Sequence, residues 1–385
     1  MNALEQTLAR TDVYFGAKHV ALAEALKSAG ASFTLADHDA KKAATSLATH
    51  GLFRWLVPSN ASGMAAEHGD ASRLDLRALC LIRETLGAVC PMADSIFAVQ
   101  GLGSHPVVLS PETPWKQAFL AEVAEGKRIG AFALTEPGAG TDIASMQTVA
   151  ARSGDKWRLT GEKIFISNAG LADHYVVFAN ADPASGKKGI SAFLVDARAG
   201  GLEIELVPLA IDHPIGRVTL RNCEATELLW EVGKGMRLAL GTLDMFRTSV
   251  GAAACGMAKR AITESIAHVK KRMQFGKPLA DFQLTQAAIA EMATELDAAR
   301  LLVYRAATEK DVGTPDATSV AMAKMFATEA AQRIIDRAVQ LHGGLGVTRG
   351  SAVEQLYREI RPLRIYEGTT EIQKLIIGEA LLRGA

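Results

Sequence analysis

Five short segments carry residue types and spacings suited to chemistry. In Leu134-Thr135-Glu136-Pro137-Gly138-Ala139-Gly140-Thr141-Asp142, small residues and two glycines let the backbone approach a ligand closely, and N–H groups and Thr hydroxyls can bond polar ring atoms or phosphates. Gly161-Glu162-Lys163-Ile164-Phe165-Ile166-Ser167-Asn168 reads as a strand ending in a hydroxyl and an amide. In Arg272-Met273-Gln274-Phe275-Gly276-Lys277-Pro278-Leu279, followed by Phe282-Gln283, a stripe of Ile262, Ile266 and Val269 delivers an arginine to a helix end that Gly276 and Pro278 stop. Gln340-Leu341-His342-Gly343-Gly344-Leu345-Gly346 ends a helix in three glycines, more than one C-cap needs, as a backbone packed on a flat or charged ligand would. Ile365-Tyr366-Glu367-Gly368-Thr369-Thr370-Glu371-Ile372-Gln373 puts Glu367 where a glycine and two threonines break helical propensity, at an irregular helix junction. Taken singly, the five read equally as a turn, a strand, a basic helix cap, a glycine C-cap beside a core histidine, and a solvated glutamate.

The elements that must position these segments fall into three blocks. From Leu4 to about Leu109 the chain is rich in Ala, Leu and charge, and Leu74, Ala78, Leu81, Ile82 and Leu86 recur at helical spacing. A short helix from Trp115 to about Glu125 follows. Between Gly126 and Gly235, short β-favouring runs (Ile129–Leu134, Trp157–Thr160, Lys163–Ser167, Tyr175–Ala179, Ile190–Val195, Leu202–Val207, Val218–Leu220) alternate with turn residues. Glu203-Ile204-Glu205-Leu206 alternates as a half-buried strand should. Helical patterning then returns, with Met322, Phe326, Ala330, Ile334, Ala338 and Leu341 marking one buried face. The expected architecture is α+β and mostly α: an N-terminal helical domain over 1–126, a central antiparallel β-barrel or sandwich over 127–234, and a C-terminal helical bundle over 235–385. Clustered blocks argue against an alternating βαβ fold.

Composition removes several function classes. The 385 residues hold 42 basic and 42 acidic side chains, so the cationic excess that accompanies phosphate-backbone binding is missing and nucleic acid is not expected. Gly-x-Gly-x-x-Gly, Walker A, His-Glu-x-x-His and Gly-x-Ser-x-Gly sequences do not occur, so chemistry must use carboxylates or a cofactor bound in another way. Cys80, Cys90, Cys223 and Cys255 lie far from metal or redox spacing, reading as reduced thiols, and no metal is expected. The most apolar window, Val250 to Ala258, is too short to cross a bilayer, and Met1 to Ala31 lacks a targeting pattern, so the expectation is a cytoplasmic protein.

In combination, with order and spacing kept from about Ile129 to Ile377, the five segments resemble the acyl-CoA dehydrogenase family, FAD-dependent flavoenzymes that convert acyl-CoA thioesters to 2,3-enoyl-CoA. Leu81-Ile82-Arg83-Glu84 and Gly101-Leu102-Gly103-Ser104-His105-Pro106 also fit. The family's helical, β and helical-bundle architecture coincides with the three blocks.

The resemblance implies roles residue by residue. Phe132, Leu134, Thr135, Gly140 and Thr141 line the flavin and pyrophosphate of FAD, Thr141 also lying near the pantetheine. Phe165 and Ser167 take places where Trp and Thr are commoner, against the flavin ring and its N5. Arg272, Phe282, Gln283, Gln340, Gly343 and Gly344 match positions that reach the FAD of a neighbouring subunit, and Thr369 and Glu371 contact the same cofactor. A homodimer or homotetramer follows, with reduced flavin passing electrons to an electron-transfer flavoprotein.

Glu367 matches the catalytic base. The alternative base position of some members holds Phe246, which cannot take a proton and would narrow the acyl pocket. Asp244, Phe246, Arg247, Tyr366 and Gly368 match substrate-side positions, an internal ion pair being the other reading of Asp244 and Arg247. Val218 to Gly235 and Val57 to Gly63 depart from the family's usual sequence, which leaves the CoA grip and acyl specificity open. An acyl-CoA oxidase, or a non-catalytic flavin or acyl-thioester binding protein, are the alternative functions.

Overall fold

The structure, a computed structural model, describes residues 13–314 and 316–383, so the helical reading of residues 4–12 lies outside the described residues. In chain order the longer elements are α1 (Ala17–Gly30), α2 (Ala40–Thr49), α3 (Leu76–Val89), α4 (Pro91–Leu109), α5 (Lys116–Ala124), β1 (Gly130–Ala133), β2 (Val149–Ser153), β3 (Lys156–Ser167), β4 (His174–Asn180), β5 (Ile190–Asp196), β6 (Leu202–Leu206), β7 (Ile215–Ala225) and β8 (Glu227–Leu228). They continue with α6 (Gly235–Lys271), β9 (Met273–Gln274), β10 (Lys277–Pro278), α7 (Gln283–Asp311), α8 (Ala317–His342), α9 (Ala352–Ile360) and α10 (Thr370–Arg383). The described residues form two compact units, a helical one (13–37, 75–94, 247–314 and 316–383) and a sheet-containing one (38–74 and 95–246). Each draws on more than one of the three sequence blocks.

In the helical unit α7 packs on α8, α8 also carries α9 and α10, and α3 packs on α1 and α7. Asp75 starts α3 by accepting the Ala78 N–H at 2.9 Å. The Gly/Ala-rich window at Val250 to Ala258 is explained by close helix approach. A Cβ on Gly256 would lie 2.0 Å from the Glu84 carbonyl oxygen, and one on Gly87 would lie 2.5 Å from that of Ala253, so α3 and α6 touch backbone to backbone. The stripe read on α8 drifts. Ala330, Ile334 and Ala338 are buried, whereas Met322, Phe326 and Leu341 are half-buried, because each step of four overshoots a turn by about 40°. The buried face follows Ala323, Ala327, Ala330, Ala331, Ile334 and Ile335 instead.

The sheet-containing unit holds an eight-stranded sheet in the order β6-β7-β3-β2-β4-β5-β8, with β1 beside β4. Most pairings are antiparallel as expected, but β1 and β2 each meet β4 in parallel. Strands β4 and β5 are buried on nearly every residue, matching their unbroken apolar runs. Tyr175, Val177, Phe193, Val195, Leu159 and Val218 form the core. The two runs Trp157–Thr160 and Lys163–Ser167 are one strand, β3, whose register against β7 slips at Gly161 and again after Lys163. Strand β2 was not anticipated. The half-buried reading of Glu203 to Leu206 is corrected: β6 is an edge strand whose Leu206 is 60% exposed. Helix α4 is pressed onto β1, for a Cβ on Gly103 would lie 2.6 Å from the Ala131 nitrogen, and Gln100 accepts the Gly130 N–H at 2.7 Å.

Candidate active site

The residues singled out from sequence fall into two sets, one in each unit. In the sheet-containing unit, β1 runs through Phe132 into the segment 134–142, which makes a tight turn by paired Glu136 and Ala139 backbone bonds of 3.1 Å each. This turn is fastened to β3 from beneath. The Ile164 N–H bonds the Thr135 carbonyl at 2.9 Å, and the buried Lys163 ammonium donates to Glu136 Oε1 at 2.8 Å and to the Leu134 carbonyl at 3.2 Å. Glu136 in turn accepts the Gln147 and Thr148 N–H groups at 2.5 and 3.0 Å. Burial draws the Lys163 ammonium down to about 8, with Glu136 pulling it back up. Burial works to raise the Glu136 carboxyl, but the Gln147 N–H and the Lys163 charge hold it below the ordinary carboxylate range.

The register slip aims one side chain outward. Phe165 has φ 57° and is 56% exposed, a left-handed aromatic residue left open in the middle of a strand. Such backbone costs about 1–2 kcal/mol for a non-glycine residue and is kept where it presents a group to a ligand. Ser167 is half-buried at the end of the same strand, and Asn168, also left-handed at φ 62°, ties its amide to the Gly130 carbonyl at 3.0 Å. Gly140 and Thr141 are exposed, and a Cβ on Gly140 would meet nothing within 4 Å, so neither packing nor a left-handed φ accounts for that glycine. An open turn of exposed N–H groups beside an exposed aromatic fits a flat, anionic cofactor such as a flavin nucleotide. Phe246 points elsewhere than into open space. Its fully buried ring lies 2.3 Å from where a Cβ on Gly101 would stand and meets His105 edge-on at 5.6 Å. Asp244 is half-buried on the same helix, α6.

The second set surrounds Glu367. Between a single 3₁₀ turn (Arg361–Arg364) and α10, the chain turns through two consecutive left-handed residues, Glu367 (φ 53°) and Gly368 (φ 94°). At φ 94° Gly368 has a backbone that strains any L side chain, and a Cβ there would also push on Gln373 Nε2 at 2.5 Å, so glycine suits the turn. Three side chains hold the turn by its carbonyls. Arg247 Nε donates to the Glu367 carbonyl at 3.0 Å, while Lys324 Nζ and Gln373 Nε2 donate to that of Gly368 at 2.7 and 3.0 Å. Arg247 is thus a backbone clamp rather than only an ion-pair partner. Thr369 caps α10 through the Ile372 N–H at 3.4 Å, and Thr370 donates to Glu329 at 2.7 Å, which also takes Arg364 at 2.8 Å.

The Glu367 carboxyl buries its Oε2 with no hydrogen-bond partner among the described residues. Burial raises its pKa above the ordinary carboxylate value, and the charges of Arg83, Lys324 and Arg247 pull it back. Arg83, itself buried, is matched by a fork to Asp94 (2.9 Å at each oxygen) and donates to Ser249 at 3.0 Å. Tyr366 is 37% exposed, yet burial of its hydroxyl end beside Arg83 raises it above the usual phenol range. A carboxyl held on a strained turn, with one oxygen buried and unpartnered and cations around it, is suited to taking and returning a proton.

The rest of the predicted residues lie on the surface of the helical unit. Arg272 leaves α6 at the β9–β10 hairpin, whose tip, Phe275, is 92% exposed. Gln283, Gln340, Gly343, Gly344 and Glu371 are exposed, and Phe282 and Thr369 half-buried. No Cβ on Gly344 would meet an atom within 4 Å, so this glycine too faces open space. His342 Nδ1 donates to the Ala338 carbonyl at 2.8 Å and its ring stacks on His268 at 4.3 Å, and among the described residues no three metal-binding side chains converge. Sequence reasoning passed over Lys163, Lys324 and the Arg83–Asp94 pair. A lysine interrupting an apolar stripe, as in Val320-Ala321-Met322-Ala323-Lys324, was the available signal.

Comparison with known proteins places this geometry. The family description "Acyl-CoA dehydrogenase, middle domain" matches residues 131–223, and "Acyl-CoA dehydrogenase, C-terminal domain" matches 233–382. The chain is 36% identical over 349 residues to the 3-(aryl)acrylate reductase of Clostridium sporogenes, covering 89% of this chain and 90% of that protein. It is 35% identical over 350 residues to the Caffeyl-CoA reductase-Etf complex subunit CarC of Acetobacterium woodii, covering 88% of each. The solved butyryl-CoA dehydrogenase of Megasphaera elsdenii superposes with a TM-score of 0.89 at 32% identity, over 96% of this chain and 99% of that one. With a matching fold, both family domains and relatives along nearly its whole length, the chain belongs to the FAD-dependent acyl-CoA dehydrogenase family.

Proposed function

We propose that this protein dehydrogenates an acyl-CoA thioester at Cα and Cβ to the 2,3-enoyl-CoA, with Glu367 as the base that removes the α-proton. The observation that carries the reading is the Glu367 carboxyl, whose Oε2 is buried without a hydrogen-bond partner among the described residues and which a clamped left-handed turn fixes. An α-proton of a thioester is far less acidic than a carboxylic acid, so the base must be desolvated and strengthened; burial supplies both here. Enolate charge needs donors, and the backbone N–H of Glu367 is the one assigned to the thioester carbonyl. FAD, when bound, supplies the acceptor for the β-hydride. Phe132, Leu134, Thr135, Gly140, Thr141, Phe165 and Ser167 would hold it on the sheet-containing unit, and Arg272, Phe282, Gln283, Gln340, Gly343, Gly344, Thr369 and Glu371 would meet the cofactor of a neighbouring subunit in a dimer or tetramer. Thr141, Asp244, Arg247, Tyr366 and Gly368 lie on the substrate side in this reading, and Phe246 borders the acyl pocket.

Electrons pass to an electron-transfer flavoprotein, as the complex named for the Acetobacterium woodii relative suggests by analogy. A cytoplasmic location belongs to the same proposal; no described helix is long and apolar enough to cross a membrane. Anaerobic bleaching of the flavin by a panel of straight, branched and aromatic acyl-CoAs tests it. Wild type bleaches with at least one and Glu367→Gln with none; equal inertness of both with flavin retained points to a binding protein instead. Aerobic turnover without an added acceptor would indicate an oxidase. The two relatives named as reductases favour a second reading, the same step run backwards with Glu367 as the proton donor. Oxidation of chemically reduced enzyme by an aryl-enoyl-CoA distinguishes it.

A further inference from the structure

We infer that Lys324 is the positioning residue of the base: from α8 it fixes the turn that carries Glu367 by holding the Gly368 carbonyl, and its ammonium sets how readily the carboxyl ionises. The inference deepens the proposed function and rests on it, since it concerns the same base.

Lys324 is wholly buried, where an ammonium is costly unless it serves a partner. Its 2.7 Å bond goes to a backbone carbonyl rather than to a carboxylate. That carbonyl belongs to the residue after the base, in a left-handed conformation that glycine alone fits at this point. The hold therefore acts on the backbone dihedrals that aim Glu367, not on its rotamer.

The surrounding charges are accounted for element by element. Around Lys324 lie Glu367, Arg247, Glu329 and Glu371, and around Glu367 lie Arg83, Lys324, Arg247 and Asp94. Asp94 is taken up by the Arg83 fork, Glu329 by Arg364 and Thr370, and Arg247 Nε by the Glu367 carbonyl. Glu371 is exposed at the start of α10. Lys324 is the buried cation whose opposing charge is the base itself, and burial has brought its ammonium down to about 8, with the Glu367 charge pulling it back up. Removing that charge must raise the proton affinity of Glu367 and shift the acid limb of activity to higher pH.

The test compares Lys324→Met, which loses both hold and charge, with Lys324→Gln, which keeps a donor but no charge. For Lys324→Met we expect the acid limb of kcat/KM, followed by anaerobic flavin reduction, to rise by about one pH unit or more, as removal of a nearby opposite charge predicts. We expect kcat to fall roughly a hundredfold through misplacement of the base. Hydrogen exchange of the 366–369 amides, measured without substrate, should quicken in Lys324→Met and stay near wild type in Lys324→Gln, while the limb moves in both. Wild-type exchange together with a wild-type limb in Lys324→Met overturns the inference. If that variant does not fold, an unshifted limb in Lys324→Gln does so. A Glu367→Gln variant as active as wild type overturns the proposed function instead and leaves the exchange result standing.

Discussion

Two buried lysines, one in each unit, make opposite use of the same group. Lys163 in β3 meets a carboxylate, Glu136, whose oxygens also receive two backbone N–H groups, so the charge is matched and the turn at 134–142 is pinned. Lys324 in α8 meets a carbonyl, and the carboxyl it acts on, Glu367, keeps a bare oxygen. Burial brings both ammonium groups to about 8, so desolvation alone does not tell them apart. Partner chemistry does. A saturated pair is a fastener, and an unsaturated one leaves a carboxyl free to trade protons.

The largest expected effect breaks the comparison at its reactive end. Glu367→Gln should lower flavin reduction roughly ten-thousandfold, the upper range for loss of a general base, with flavin content unchanged. A loss confined to KM would mean that Glu367 only binds. Next, Lys163→Met should destabilise the protein by about 3–5 kcal/mol, since it strands the buried Glu136 charge. Denaturant midpoints check this, and the double change Lys163→Met with Glu136→Gln, which removes the stranded charge but keeps an acceptor for the backbone N–H groups, should recover part of the loss.

Lys324 sharpens the contrast through pH. Its folded-state value near 8 lies below the ordinary 10.5, so between those values the unfolded chain still holds a proton that the folded chain has released. Stability therefore rises with pH through that window, by about 2 kcal/mol, and Lys324→Met should flatten the rise in thermal melts at pH 8 and 10. The smallest effect concerns Phe165. Because its backbone is left-handed and its ring exposed, Phe165→Gly should leave the flavin-free protein as stable as wild type or about 0.5 kcal/mol more so, while flavin affinity falls. A stability loss near 3 kcal/mol, usual for a packed phenylalanine, would show that the ring belongs to the core.

Much of this was legible beforehand, for reasons that are local. Turn residues and β-favouring runs placed most strands within a few residues, and Gly368 with its two threonines announced the helix junction at Glu367. What escaped depends on partners distant in sequence. The parallel docking of β1 on β4 leaves no mark in either strand, and the alternation of Glu203 to Leu206 could not reveal that β6 would be an edge. The stripe on α8 followed whole steps of four and slid off the buried face, hiding that Lys324 points inward. Its acceptor is a carbonyl 44 residues away. Composition cannot announce such a bond, since every residue carries a carbonyl.

The double left-handed turn at 367–368 also bears on redesign. Because clamps on main-chain oxygens aim this position, the turn acts as a socket that presents whatever side chain is installed there from the same backbone point. Asparagine, aspartate or histidine, which accept such dihedrals with the least strain, are the substitutions with which to transplant a different proton-transfer group into an otherwise unaltered scaffold.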